Sequence, residues 1–197
     1  IYWHMVSKLL LAVQENCLLA VNSNEDKVII GKLLDHYYEI NAGIGVHKSP
    51  ELYGAFPTDA YSHTPATKGA QQPGMTGQVK EDILSRIGEL GVFVENGKIF
   101  FKPSLLKKSE FLENPKSFDY INLKNEKHTL SIDKNQLSFT YCQVPVVYQL
   151  ANKEMIQVVY NDQSTTVFES LLLDAETSSK IFNRTNEIHH LKVSLVK

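Results

Sequence analysis

At Gly91 the hydrophobic period of the chain changes from 3.6 to 2, and that change restricts the fold more than any motif does. Before it, apolar residues recur at helical spacing. Trp3, Val6, Leu10, Val13 and Cys17 do so in a first segment, Val28, Ile29, Leu33 and Tyr37 in a second, and Val79, Ile83, Ile87 and Leu90 in a third. After it, Val92-Phe-Val-Glu95 and Lys98-Ile-Phe-Phe-Lys102 flank Asn96-Gly97. Two alternating runs joined by Asn-Gly predict a hairpin with a type I′ turn, because both central positions of that turn need positive φ.

The spacing therefore predicts helices over about 2–20, 25–40 and 76–90. The break at Asn22-Ser-Asn24 makes the first two an αα-hairpin. Gly43 and Gly45 are the expected end of the second helix, and Gly91 the stop of the third. Strands are expected at 118–123, 128–132, 136–141, 144–149, 155–160, 165–173 and 188–196, with Asn114-Pro115, Asp133-Lys-Asn135 and Asn161-Asp162 as turn signals. Asp174 is the expected cap of a short helix at 175–182. Helices first and strands afterwards indicate an α+β chain or separate domains. The division expected is a helical domain over 1–91 and an antiparallel β-sandwich over 92–197.

Composition removes several function classes. A net charge of -2 with no basic stripe lacks the footprint of a nucleic-acid binder. No apolar run reaches membrane-spanning length. Cys17 and Cys142 stand in separate segments and are expected to be unpaired; without a disulfide framework a cytoplasmic location is favoured. No Cys or His pair has zinc-ligand spacing, so no metal is expected. His189 and His190 are adjacent and on a regular strand would point to opposite faces. Neither a nucleophile elbow, a phosphate-binding loop nor a dinucleotide fingerprint occurs. The chain opens at Ile1, directly in a helix with apolar residues on several sides. The expectation is the C-terminal piece of a longer polypeptide, with residues 1–40 presenting apolar surface to a partner or to the remainder of that polypeptide.

The chemistry concentrates in the long polar stretch from Tyr61 to Gln78, anchored by Tyr53, Phe56 and Tyr61 and ending in Pro73-Gly74-Met75-Thr76-Gly77. Loops of this length inside compact domains are functional or disordered. The helix it enters offers free backbone N–H groups, which bind anions. Thr76 adds a hydroxyl and Gly77 permits close backbone approach. Gln71 and Gln72 suit sugar hydroxyls, and His63 and Lys68 could meet an anion. His4 offers an imidazole that donates hydrogen bonds and can carry charge. Glu51 and Asp59 are the loop carboxylates; a pair of that kind can run glycoside chemistry only when the two face one another. Each of these residues also has an ordinary role, as a helix cap, a core histidine or a solvated loop side chain.

Tyr2-Trp3-His4 at the start of one helix and Met75-Thr76-Gly77 at the start of another are followed by Leu90-Gly91-Val92, Asn96-Gly97-Lys98-Ile99 and Lys102-Pro103. In that order the motifs resemble the C-terminal part of an (α/α)6-toroid, or six-hairpin, carbohydrate-active enzyme of the cellobiose and chitobiose phosphorylase family. The likeness covers about residues 1–105. It implies that the last toroid helices lead into the β-sandwich and that the parent acts on a glycosidic bond. By the same resemblance His4, Thr76 and Gly77 hold an attacking inorganic phosphate, the co-substrate, with Gln71 and Gln72 at the rim. It places the catalytic acid on an upstream aspartate, so the chain alone is expected to be inactive and its own catalytic residue is unknown. The sequence departs from the family at Gln71-Gln72-Pro73-Gly74 and in the Lys48–Lys68 insert. A hydrolase of the same toroid type would use water activated by a carboxylate. The competing reading is a non-catalytic carbohydrate-binding or structural β-sandwich module.

Overall fold

The computed structural model describes the backbone of residues 2–44 and 76–196, and the side chains within 5–44 and 80–196. Expectations for Glu51, Asp59, His63, Lys68, Gln71 and Gln72 fall outside the described residues. The chain divides into two compact units, Ile1–Leu90 and Gly91–Lys197.

The first unit contains helices α1 (Tyr2–Asn22), α2 (Lys27–Ile44) and α3 (Thr76–Leu90). At the tight turn between α1 and α2, the Asp26 carboxylate accepts a 2.8 Å bond from Val28 N and so satisfies a free donor of the α2 entry. The helix α1 buries Ser7, Leu10, Gln14, Cys17 and Ala20, a stripe at steps of three and four residues. Tyr37 of α2 is fully buried. Its ring contributes apolar burial, roughly 1.5–3 kcal/mol for a large side chain.

Helices α1 and α3 run in the same direction. Lys8 Nζ lies 3.5 Å from Glu81 Oε1, and Gln14 Nε2 donates 2.8 Å to the Ser85 carbonyl. Moving towards the C-terminus of one helix therefore moves the contact towards the C-terminus of the other. Of the expected apolar face of α3, Leu90 is buried but Ile83 is not. Ile83 and Leu84 are 54% and 48% exposed, whereas Glu81, Ser85 and Glu89 are buried. A polar network accounts for Glu89: Tyr37 Oη donates 2.7 Å to Glu89 Oε1, Arg86 Nη1 donates 2.7 Å to Glu89 Oε2, and Gln14 Nε2 lies 3.1 Å from Tyr37 Oη. Buried polar groups are tolerated where they are bonded to one another.

The second unit begins with the hairpin of β1 (Val92–Glu95) and β2 (Lys98–Phe101). Asn96 and Gly97 sit at φ 49° and 74°, as a type I′ turn requires. A second hairpin joins β3 (Lys116–Ile121) to β4 (Lys127–Ile132). Five further strands follow: β5 (Gln136–Tyr141), β6 (Val144–Ala151), β7 (Met155–Tyr160), β8 (Thr165–Phe168) and β9 (Ile188–Val196). They form one sheet in the order β5-β6-β9-β7-β8. The expected all-antiparallel arrangement does not hold, because β6 and β9 pair in parallel from Val146↔Leu191 to Ala151↔Val196. Strand β9 lies between β6 and β7, and the β7–β8 hairpin and helix α4 (Ala175–Phe182) intervene in sequence. A parallel pair needs such a crossover. Pro145 stands just before the parallel ladder begins, where its missing N–H breaks no bond to β9.

Strand β8 is shorter than its expected span of 165–173. Phe101 N donates to Leu171 O and Leu173 N to Ile99 O, each at 2.9 Å, so the end of that segment joins β2 instead. Asp174 caps α4 by accepting a 2.7 Å bond from Thr177 N. Ser178 Oγ of α4 accepts 3.0 Å from Ile99 N, tying this helix to β2. The core of the unit includes Ile99, Phe101, Tyr148, Ile156, Val158, Leu173, Ile181 and Val193, each at most 2% exposed. Phe101 and Phe139 both meet the Tyr148 ring edge-on, at 5.9 and 5.1 Å between centroids. Among the described residues, no helix is long and apolar enough to cross a membrane.

Candidate functional site

In the second unit the β3–β4 turn, the β5–β6 turn and the start of β9 enclose a cleft of about 340 Å³. Small-molecule sites have volumes of about 300–1,000 Å³. The organising residue is Asn122. Its Oδ1 accepts from Lys124 N and Glu126 N, both at 2.9 Å, which folds the turn around the side chain. Its Nδ2 donates 2.9 Å to Glu126 Oε2 and lies 2.9 Å from His128 Nε2. Because Nδ2 can only donate, the network assigns the lone pair of His128 to Nε2 and its proton to Nδ1. The bond from Asn122 holds the Glu126 carboxyl below its usual range. The Tyr120 ring lies against the His128 imidazole, with 5.8 Å between centroids.

Across the cleft stand His189 and, behind it, His190. The β7–β9 register slips between Val159 and Tyr160: Val159 faces His190, while Tyr160 faces Ile188. His189 is thus the extra residue of a bulge, and a bulge interrupts the alternation of side chains. The expectation of opposite faces fails for that reason. The two Nδ1 atoms approach to 2.7 Å, so one ring donates and the other accepts. Burial, then His189 and Lys192, lower the His190 pKa to about 4. Burial lowers that of His189. The His190 ring is neutral at pH 7 as a result.

Cys142 and Gln143 form the β5–β6 turn with φ 50° and 63°. Neither residue is a glycine, an asparagine or an aspartate, and left-handed backbone costs such residues roughly 1–2 kcal/mol each. Gln143 Nε2 reaches Asn122 O at 3.4 Å, but the buried Oε1 has no partner among the described residues. An unpartnered buried acceptor costs about 1–3 kcal/mol. The Asn161 side chain donates 2.6 Å to Asn186 O and fixes the opposite wall, where Asn186 sits at φ 62°. Among the described residues, no trio of His, Cys, Asp or Glu is arranged to hold a metal.

The residues singled out from the sequence lie in the first unit. His4 is in the opening turn of α1, and Thr76 and Gly77 open α3. As these helices are parallel, both opening turns stand at the same end of the pair. Gln71 and Gln72 lie outside the described residues. One turn or so further along the seam, Ser7 Oγ, Glu81 Oε2 and Ser85 Oγ are buried with no hydrogen-bond partner among the described residues. Sequence reasoning missed the whole β-unit cleft. Its residues are spread from Tyr120 to His189, and only the His189-His190 pair carried a signal. No protein-family model matches the chain, and no curated protein matches it.

Proposed function

We propose that this chain is the C-terminal part of a carbohydrate-active enzyme that cleaves or phosphorolyses a glycosidic bond. In this reading α1 and α3 are inner helices of an (α/α)6 toroid, α2 is an outer helix, and the second unit is the β-sandwich that follows. The observation carrying it is the parallel course of α1 and α3, which sets the turn bearing His4 beside the turn bearing Thr76-Gly77. Inner helices of a toroid are parallel to one another and antiparallel to their outer partners. Free N–H groups at a helix entry, a hydroxyl and an imidazole together suit the oxygens of a phosphate. The exposed Met5, Leu9, Leu19, Val28 and Ile29 suit helices that pack against the remainder of a larger polypeptide. Cys17 and Cys142, both unpaired, suit a reducing, cytoplasmic setting.

The test is an inorganic phosphate titration of the complete protein and its Thr76→Val variant. Loss of one charge-assisted hydrogen bond should weaken phosphate binding by about 1.5–3 kcal/mol. Equal affinities remove Thr76 from the site. Glycoside turnover that does not depend on phosphate selects hydrolysis instead. Glu81 favours that second reading, being 3% exposed with Oε2 unpartnered among the described residues. It would then be the carboxylate that activates water.

A further inference from the structure

We propose that the cleft of the second unit binds a neutral, polyhydroxylated ligand, a mono- or disaccharide, in which a ligand hydroxyl donates to Gln143 Oε1. The inference is independent of the helical site and of the reaction proposed for it.

The lining chemistry selects the ligand class. Four carboxamides, Asn122, Gln143, Asn161 and Asn186, and two imidazoles, His128 and His189, border the cleft. Carboxamides and neutral imidazoles each combine donors with acceptors. A sugar hydroxyl also donates and accepts, so the two sets are complementary. An anion is disfavoured. Lys124 is the single lysine or arginine of the lining and Glu126 stands in the same turn, while burial opposes protonation of His189. A metal is disfavoured by the lack of any suitable trio of ligands among the described residues.

Two observations at one residue place the ligand. Gln143 occupies a backbone position, φ 63°, that glycine would fill without strain. Its side chain lines the cleft, and its carbonyl oxygen is buried with no partner among the described residues. Strained backbone together with an unmet acceptor is what a preformed site looks like before its ligand arrives. The opposite wall is braced by the Asn161–Asn186 bond and by the His189–His190 contact, so little ordering remains to be done on binding.

The experiment is a titration of the whole, isotopically labelled chain, followed by NMR of the Gln143 side-chain amide and the His128 and His189 rings. The probes are D-glucose, D-galactose, N-acetylglucosamine and maltose, with inorganic phosphate as the anionic comparison. At least one sugar is expected to give saturable shifts at these groups, and phosphate none. The decisive variant is Gln143→Gly, which fits the turn and should fold at least as well as the parent. Its sugar affinity should fall about tenfold, the equivalent of one buried hydrogen bond. Absence of saturable shifts with every sugar overturns the proposal. So does a response to phosphate alone, or an unchanged affinity in a folded Gln143→Gly protein. None of these outcomes depends on Thr76, so failure here and failure of the helical site are told apart.

Discussion

Replacing Gly91 by alanine should be far more damaging than replacing Gly97, although both glycines have positive φ. Gly91 sits at φ 67° and Gly97 at φ 74°. Either substitution moves an L side chain into left-handed backbone, at roughly 1–2 kcal/mol. For Gly97 nothing else follows, because no atom lies within 4 Å of the added methyl. At Gly91 the methyl falls on the Lys102 carbonyl and the Pro103 nitrogen, well inside the 3.0 Å that such contacts respect. Those atoms are backbone and cannot rotate aside. They are also held, because Lys102 N donates 2.7 Å to Gly91 O. Relief requires this bond to stretch and the β1–β2 hairpin to shift, an overpacking cost of about 1–3 kcal/mol. The sum is about 2–5 kcal/mol for Gly91→Ala against about 1–2 for Gly97→Ala. Hydrogen exchange at Val193, fully buried in the middle of β9, reports the opening free energy of this unit without assuming that the whole chain unfolds in one step. Equal losses in the two variants would refute the argument, since they would show that the Lys102–Pro103 backbone yields freely.

Asp174→Ala should destabilise the second unit by about 1 kcal/mol through loss of the bond to Thr177 N, read as faster amide exchange across α4. Acid should weaken the second unit through His190, whose pKa of about 4 in the folded chain lies below the ordinary 6.5. Between those values the unfolded chain binds the additional proton, so stability rises with pH across the window and is lost as pH falls through it. The slope approaches ~1.4 kcal/mol per pH unit. Urea titrations from pH 7 to pH 4 should show a shallower slope for His190→Gln, and an unchanged slope would remove His190 as the cause.

The periodicity of the sequence carried the elements well, because local pattern reports what local geometry imposes. The helix over 76–90, the Asn96-Gly97 turn and the Asp174 cap are all where the residues put them. Strand direction was a different matter. Alternation says which side chains share a face and nothing about which way the neighbouring strand runs. The one hint was the unbroken run Val144-Pro-Val-Val-Tyr148, buried at every position, which is how strands paired inside a parallel arrangement read. The inward face of α3 also misled, since Ile83 is exposed and Glu81, Ser85 and Glu89 are not. An apolar stripe marks the core side only when the polar stripe has no partners of its own. Here Tyr37, buried on another helix, supplies one to Glu89, and no count along α3 could reveal that.

The β-unit cleft was illegible for a related reason. Asn122, Gln143, Asn161, Asn186 and His189 each read as turn or strand residues in their own segment, and in that role all are ordinary. They acquire a common purpose only through pairing that the sequence does not display. The bulge at His189 exists because β7 and β9 lose register by one residue, and only then do the two imidazoles meet. The turn at Gln143 faces Asn122 because two separate hairpins end near one another. In each case the local residue accepts a cost, a left-handed φ at Gln143 and a desolvated imidazole at His190, that its own segment does not repay. Positions where a chain keeps a locally unfavourable residue are where sequence rules should fail, and a function located in tertiary structure is a sufficient reason for such a residue to persist. On that argument the unpartnered carbonyl of Gln143 is the more informative feature of the cleft, and the well-bonded Asn122 the less. Asn122 is accounted for by the turn that it folds, whereas the Gln143 carbonyl meets no donor among the described residues and is the acceptor assigned to the proposed ligand.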